Sequence, residues 1–143
     1  MNGKKEIVAE WEPAKSFPEK IELTTVVFDH SLIVTISSDG WNVEDQSVVI
    51  EIDFGDVLGF RGTPNESLYH NRDWEWNVKG EDQAVVKTVE NSEYIQWLLE
   101  QGGFIYEERF ENATHYVIGY MDRMFEVVAD AEPVIKVLKN ERS

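Results

Sequence analysis

The amino-acid sequence predicts an α+β fold, in which residues 1–143 form a single domain with a mainly antiparallel sheet of about six strands and one helix at about 92–101. Three observations predict this class. Short β-branched segments recur along the chain, and several show the apolar alternation of half-buried strands. Short polar connections leave little room for the crossover helices of a parallel sheet. Only one segment clearly has apolar residues at helical spacing.

The first elements are an extended lead-in and a hairpin. Residues 1–20 form the lead-in, and we expect Trp11 and Phe17 to fix it to the body of the protein. Residues 21–28 and 31–37 are β-branched and apolar. A short polar connection between them predicts a β-hairpin.

The clearest alternation in the chain covers residues 47–54. Its apolar face is predicted to be buried and consists of Val48, Ile50, Ile52 and Phe54. Glu51 and Asp53 lie on the opposite, acidic face. We expect residues 57–60 to continue the same sheet past a bend, and residues 61–80 to form a long excursion rich in Gly, Pro, Asn and charge.

The helix is predicted after a strand at 84–89. Asn91 or Ser92 can cap its N-terminus, and a Gly pair at 102–103 ends it. Its apolar face consists of Tyr94, Ile95, Leu98 and Leu99.

Beyond the helix, the sequence predicts a short strand at 104–110 and a second hairpin from 114–121 and 125–129. Residues from Pro133 onward suit a short closing helix or strand.

The composition is strongly acidic, with 28 Asp and Glu against 13 Lys and Arg, a formal net charge of -15 and a pI near 4.5. Such a chain is a poor direct ligand for nucleic acid or an anionic membrane, since both need clustered cations. No apolar run approaches the ~20 residues of a spanning helix. The polar start predicts no export signal, and hence a cytoplasmic location. The absence of cysteine excludes disulfides and thiolate chemistry.

This negative charge is concentrated in the middle of the chain. Residues 39–112 hold seventeen acids and five bases, a net charge of -12. The flanking segments, 1–38 and 113–143, have net charges of -2 and -1. Charge that served solubility alone would not need this concentration, so we expect a surface of negative potential.

Motifs for catalysis or cofactor binding are missing from the sequence. His30, His70 and His115 have no metal-ligand spacing, and no serine lies in a nucleophile motif. The glycines form no phosphate-binding pattern. We therefore predict no cofactor, no metal site and no catalytic residue, and we interpret His115 as a sheet-surface or satisfied core residue.

The best candidates for contact with a partner are acidic and aromatic. Asp73-Trp74-Glu75-Trp76 places two indoles beside two carboxylates, a combination suited to a binding rim. The alternative is that both indoles pack in the core. The full predicted contact set is Glu51, Asp53, Glu66, His70, Asp73, Trp74, Glu75 and Trp76.

The C-terminal third resembles a known family. Residues 92–98 begin with S-x-Y-I-x-W, residues 114–120 contain H-Y-x-I, and 125–129 read as an apolar residue, an acid and V-V-A before Glu132-Pro133. This order resembles the small acidic immunity proteins of bacterial polymorphic toxin systems, of the Wap, Rhs and contact-dependent type. The resemblance implies a protein that neutralises the C-terminal domain of a cognate toxin, many of which are nucleases with basic active sites. It supplies no motif for the toxin contacts.

Two other functions stay open. A small enzyme acting on a glycan or another small substrate could use Glu51 and Asp53 with Trp74 and Trp76. It would need a deep pocket where these side chains converge. A non-catalytic regulatory interaction module is the third hypothesis.

Overall fold

The fold consists of two β-sheets and short helices. A computed structural model describes residues 4–17, 22–37, 47–63, 74–77, 85–102, 107–120 and 123–141. Within these ranges the chain forms ten strands and two α-helices, and every pair of neighbouring strands but one is antiparallel. The predicted α+β class with a mainly antiparallel sheet is therefore confirmed, although the strands outnumber the expected six.

The strands in chain order are β1 (Glu6–Glu10), β2 (Glu22–Asp29), β3 (Ser31–Ser37), β4 (Ser47–Gly55), β5 (Gly59–Thr63), β6 (Trp74–Asn77), β7 (Val86–Glu90), β8 (Thr114–Tyr120), β9 (Arg123–Ala129) and β10 (Val134–Glu141). The helices are α1 (Glu93–Glu100) and α2 (Glu107–Phe110), with a 3-10 helix at Glu12–Ser16.

A four-stranded sheet has the order β10-β4-β3-β2 and contains the first predicted hairpin. His30 turns this hairpin with a φ of 65°, in the left-handed region. The alternation of β4 is confirmed: its apolar face is buried, while Glu51 and Asp53 on the opposite face are half-buried.

A six-stranded sheet has the order β5-β9-β8-β7-β1-β6. The second predicted hairpin forms β8 and β9. The parallel pair is β1 with β6, in which Glu6 is aligned with Trp74.

Three predictions are wrong in part. The lead-in contains strand β1, which lies inside the sheet because β6 and β7 pair with its two edges. Residues 57–60 do not extend the sheet of β4, since the chain crosses to the other sheet and β5 pairs with β9. Residues 107–110 are helical rather than extended; residues 103–106 lie outside the described ranges.

The main core lies between the two sheets. Ile52 of β4 and Ile118 of β8 are both fully buried in one apolar cluster that draws on both sheets. Tyr116 links them to the N-terminal segment, since its ring packs edge-on against Phe54 and Trp11 with centroids 5.1 and 5.7 Å apart. Trp11 is 6% exposed, so the expectation that it fixes this segment is confirmed.

The second face of the six-stranded sheet carries α1. Ser92 caps this helix, because its Oγ accepts a hydrogen bond from the Ile95 N–H at 3.0 Å. Gly102, with a φ of 125°, follows the helix as predicted. Gly59 of β5 lets the helix lie close, since a Cβ there would come within 2.7 Å of Leu98 Cδ1.

The two-sheet packing predicts a contrast between neighbouring valines. Val34→Ala should lower the free energy of unfolding by about 2 kcal/mol, because Val34 is fully buried between the sheets. Val27→Ala on the adjacent strand should change it by less than about 0.5 kcal/mol, because Val27 is 55% exposed. Urea unfolding of both variants measures the difference, and equal losses would contradict the assigned faces.

Candidate functional site

The structure separates the predicted contact residues. Glu66, His70 and Asp73 lie outside the described residues. Glu51 and Asp53 lie on the outer face of the four-stranded sheet. In the neighbouring strand β10, Glu51 is aligned with Lys136 and Asp53 with Val134. The positive charge beside Glu51 reduces the negative potential of this surface.

Trp74 belongs to the interior of the protein, so its predicted role as a contact residue is corrected. It is 6% exposed and packs with Val8, Val89 and Val117 in a second apolar cluster. Its indole Nε1–H donates to Glu6 Oε1 at 3.0 Å. The physical reason is that β6 is part of a sheet, so one side of the strand is covered.

The adjacent residues of β6 differ from Trp74. Glu75 is exposed and remains a candidate for partner contact. The side chain of Trp76 lies outside the described part of the structure.

The enzyme hypothesis required the carboxylates and indoles to converge. Trp74 clusters with Val117, on the face of the six-stranded sheet away from the main core. Glu51 and Asp53 lie on the outer face of the other sheet. Because the main core separates these two faces, Trp74 and the two carboxylates do not form one site.

A chain of buried polar groups runs beneath α1. Glu126 of β9 accepts two hydrogen bonds from Arg61 of β5, at 2.7 Å from Nε and 3.0 Å from Nη2. Glu126 Oε1 also lies 2.9 Å from His115 Nε2, and His115 Nδ1 lies 2.7 Å from Ser92 Oγ. Glu126 and His115 are fully buried. The chain therefore joins β5, β9, β8 and the start of α1.

His115 is neutral in this arrangement. Burial lowers its pKa, and the adjacent Glu126 carboxylate opposes that effect only in part. The neutral ring then donates its Nε2–H to Glu126 and accepts the Ser92 hydroxyl at Nδ1. Ser92 Oγ still accepts from the Ile95 N–H, so its donor and acceptor capacities are both used. The interpretation of His115 as a satisfied core residue is confirmed.

Serine, histidine and a carboxylate in one hydrogen-bonded chain are the components of a nucleophilic triad. Ser92 is only 7% exposed, however, and the other two groups are fully buried. Its hydroxyl oxygen also caps α1. The arrangement therefore holds the helix on the sheet and gives a substrate no access to the serine. Among the described residues, no group of three His, Asp or Glu side chains is placed to hold a metal ion.

The helices carry a surface that the sequence reasoning did not select. All acidic side chains of α1, α2 and the residue after α2 are exposed: Glu93, Glu100, Glu107, Glu108 and Glu111. Together with Trp97 of α1, which is 54% exposed, we name them the acidic helical face. Helical spacing contained the signal, since it leaves Trp97 outside the apolar stripe formed by Tyr94, Ile95, Leu98 and Leu99.

Arg109 is the one basic residue of these two helices. Its guanidinium binds Asp130 through two hydrogen bonds of 2.9 and 3.0 Å and also reaches the Asp56 backbone oxygen at 2.8 Å. The hydrogen bonds from Arg109 are the main reason that the pKa of Asp130 is lowered. Because Arg109 is engaged with these partners, it does not offset the five outward carboxylates directly.

Among the described residues, no helix is long and apolar enough to cross a membrane. No protein-family model, curated protein or solved structure matches the chain. Its function must then be inferred from its own residues.

The buried chain predicts unequal roles for two arginines. Arg61 and Arg109 both bind a carboxylate through two hydrogen bonds, but the Glu126 side chain is 0% exposed and the Asp130 side chain 24%. Arg61→Met should cost about 3 kcal/mol of unfolding free energy, because it leaves a buried charge without its cation. Arg109→Met should cost about 1 kcal/mol or less. Equal losses in urea unfolding would contradict the structural role assigned to Glu126.

The lowered pKa of His115 predicts a dependence of stability on pH. In the unfolded chain, histidine takes up a proton below about pH 6.5. The folded chain does not protonate His115 until a lower pH, so the unfolded state is favoured as pH falls from about 7 to 5.5.

The check is an NMR titration of the imidazole resonances. The His115 signal should keep the neutral-ring shift at pH 6. His30→Asn helps to assign the resonances, since Asn tolerates the left-handed φ and the variant removes one imidazole signal. A His115 signal that has moved to the protonated-ring shift at pH 6 would overturn the assignment.

Proposed function

We propose that this protein is an immunity protein, or antitoxin, which binds a cognate toxin domain through an acidic surface and neutralises it in the cytoplasm. The toxin domain is basic, and a nuclease is the class that best fits. One observation carries the proposal. Ten of the seventeen acids between residues 39 and 112 lie in described segments, and all ten are exposed or half-buried.

The physical reason is charge complementarity. A nuclease receives a phosphate backbone, so its active site is lined by cations. An acidic protein surface can occupy the same cleft, and opposite fields accelerate the encounter and select the partner. Net charge of this size opposes compaction of the chain through self-repulsion. Attraction of a basic partner is a functional reason for the protein to keep it.

The acidic helical face is the better of the two acidic surfaces. On the outer face of the four-stranded sheet, Lys136 is aligned with Glu51 and supplies an opposite charge. On the helices, Arg109 is already bound by Asp130, and five carboxylates are exposed on two short helices and the residue that follows the second. We therefore assign the main contact to the helices and a peripheral role to Glu51, Asp53 and Glu75.

Co-expression tests the proposal. The toxin-like domain encoded by the gene directly upstream should arrest growth alone, lose toxicity when this chain is present, and co-purify with it in a fixed ratio. The proposal would be wrong if the upstream gene product were harmless or did not bind this chain.

The mechanism predicts a strong dependence on salt. The association rate should fall at least tenfold between low ionic strength and about 0.5 M salt, because screening shortens the range of the attraction. Stopped-flow mixing measures this rate. Glu107→Gln with Glu108→Gln should reduce the salt dependence, while Glu12→Gln, an exposed acid of the 3-10 helix, should change it little. A rate that is independent of salt would contradict the charge mechanism.

A further inference from the structure

The outer side of α1 exposes a large aromatic ring. Trp97 is 54% exposed, although indoles are usually highly buried. Its neighbours Tyr94 and Leu98 are turned toward the sheet, where they approach Gly59. Tryptophan is enriched at protein interfaces and among the residues that contribute most of the binding energy there.

Two carboxylates flank this indole. Glu93 precedes Trp97 by four residues and Glu100 follows it by three, so both lie on the same side of the helix as the ring. Both are exposed. An apolar ring face with a negative charge one turn away on each side is complementary to a cation with a flat or apolar stem.

The protein already contains an arginine packed on an aromatic ring close to Trp97. The guanidinium carbon of Arg61 lies 4.0 Å from the centroid of the Tyr94 ring. The Tyr94 ring in turn is stacked near Trp97, with centroids 6.3 Å apart and planes inclined by 26°. Tyr94 is buried and held by these contacts, so it supports the indole from below.

We propose that Trp97 is the anchor of the acidic helical face and receives an arginine side chain of the basic partner, with Glu93 and Glu100 binding its guanidinium. The partner's identity rests on the proposed function, whereas the cation site rests on α1 itself. Arginine fits better than lysine, because its planar group stacks on the ring while its N–H groups remain free to bind carboxylates.

Another exposed aromatic residue provides the matched control. Phe28 is also 54% exposed, but it lies on the edge strand β2 and packs against Phe60, with ring centroids 5.1 Å apart. Its strand neighbour across the hairpin is Leu32, an apolar residue, whereas Trp97 has Glu93 and Glu100 on its own side of the helix.

The first experiment uses the full chain alone and two capped peptides, Gly-Arg-Gly-Arg-Gly and the same peptide with citrulline, which keeps the shape of arginine without its charge. Titration is followed by the indole and amide resonances in nitrogen–proton NMR spectra. The arginine peptide should shift the Trp97 indole and the amides of Glu93 and Glu100 most, and the citrulline peptide should not.

Variants at the anchor separate cation binding from a general apolar contact. Trp97→Phe should keep part of the effect and Trp97→Leu should abolish it, while Phe28→Leu leaves it intact. Arginine-peptide shifts of equal size at Glu12 and Glu132, or shifts that persist in Trp97→Leu, would overturn the proposal.

The second experiment uses the co-purified toxin domain. Trp97→Leu should raise the dissociation rate at least about tenfold, as expected for a central aromatic anchor, and Phe28→Leu should change it less than about twofold. A stable complex that tolerates Trp97→Leu overturns the anchor but leaves the immunity function standing. Failure of any complex to form, with arginine-peptide shifts still centred on Trp97, overturns the immunity function and supports the cation site.

Discussion

Glu126 places a carboxylate in the interior of the protein, with its side chain fully buried. A buried charge is very unfavourable unless it is paired and hydrogen-bonded, so the neighbouring elements must supply partners. Arg61 provides the opposite charge from an edge strand, and His115 provides a neutral donor from the central strand β8. The positions of β5, β8 and β9 are thereby tied together by polar contacts as well as by the backbone ladder.

The same requirement extends to α1. His115 accepts from Ser92, and Ser92 caps the helix. In the other half of the six-stranded sheet, Glu6 of β1 accepts hydrogen bonds from the Trp74 indole and from the Glu93 backbone N–H, each at 3.0 Å. Two separate contacts therefore fix the first turn of α1, one from each half of the six-stranded sheet. The outward direction of Trp97 is a consequence of this fixed start.

Local patterns predicted much of this fold. The two hairpins, the faces of β4 and the cap at Ser92 depend on residues close in sequence, and all four agree with the structure. Strands β1, β5 and β6 are short and pair with distant residues, so local alternation could not give their places in the sheet. For the candidate site, the sequence predicted an acidic surface but not which elements carry it. Trp74 is buried and Trp97 is exposed, and this difference depends on the tertiary packing around each indole.

The place of β1 also constrains how the chain folds during its synthesis. This strand is made before the other described strands, yet its neighbours in the sheet are β6 and β7, and Glu6 is aligned with Trp74 while Ile7 is aligned with Glu90. Pairing between such distant segments is slow, because the intervening loop must close first. The hairpin of β2 and β3 can form early, but β1 has both of its neighbours only after β6 and β7 have emerged. The six-stranded sheet, and the helix that it holds, are therefore completed late, after β8 and β9 have also been made.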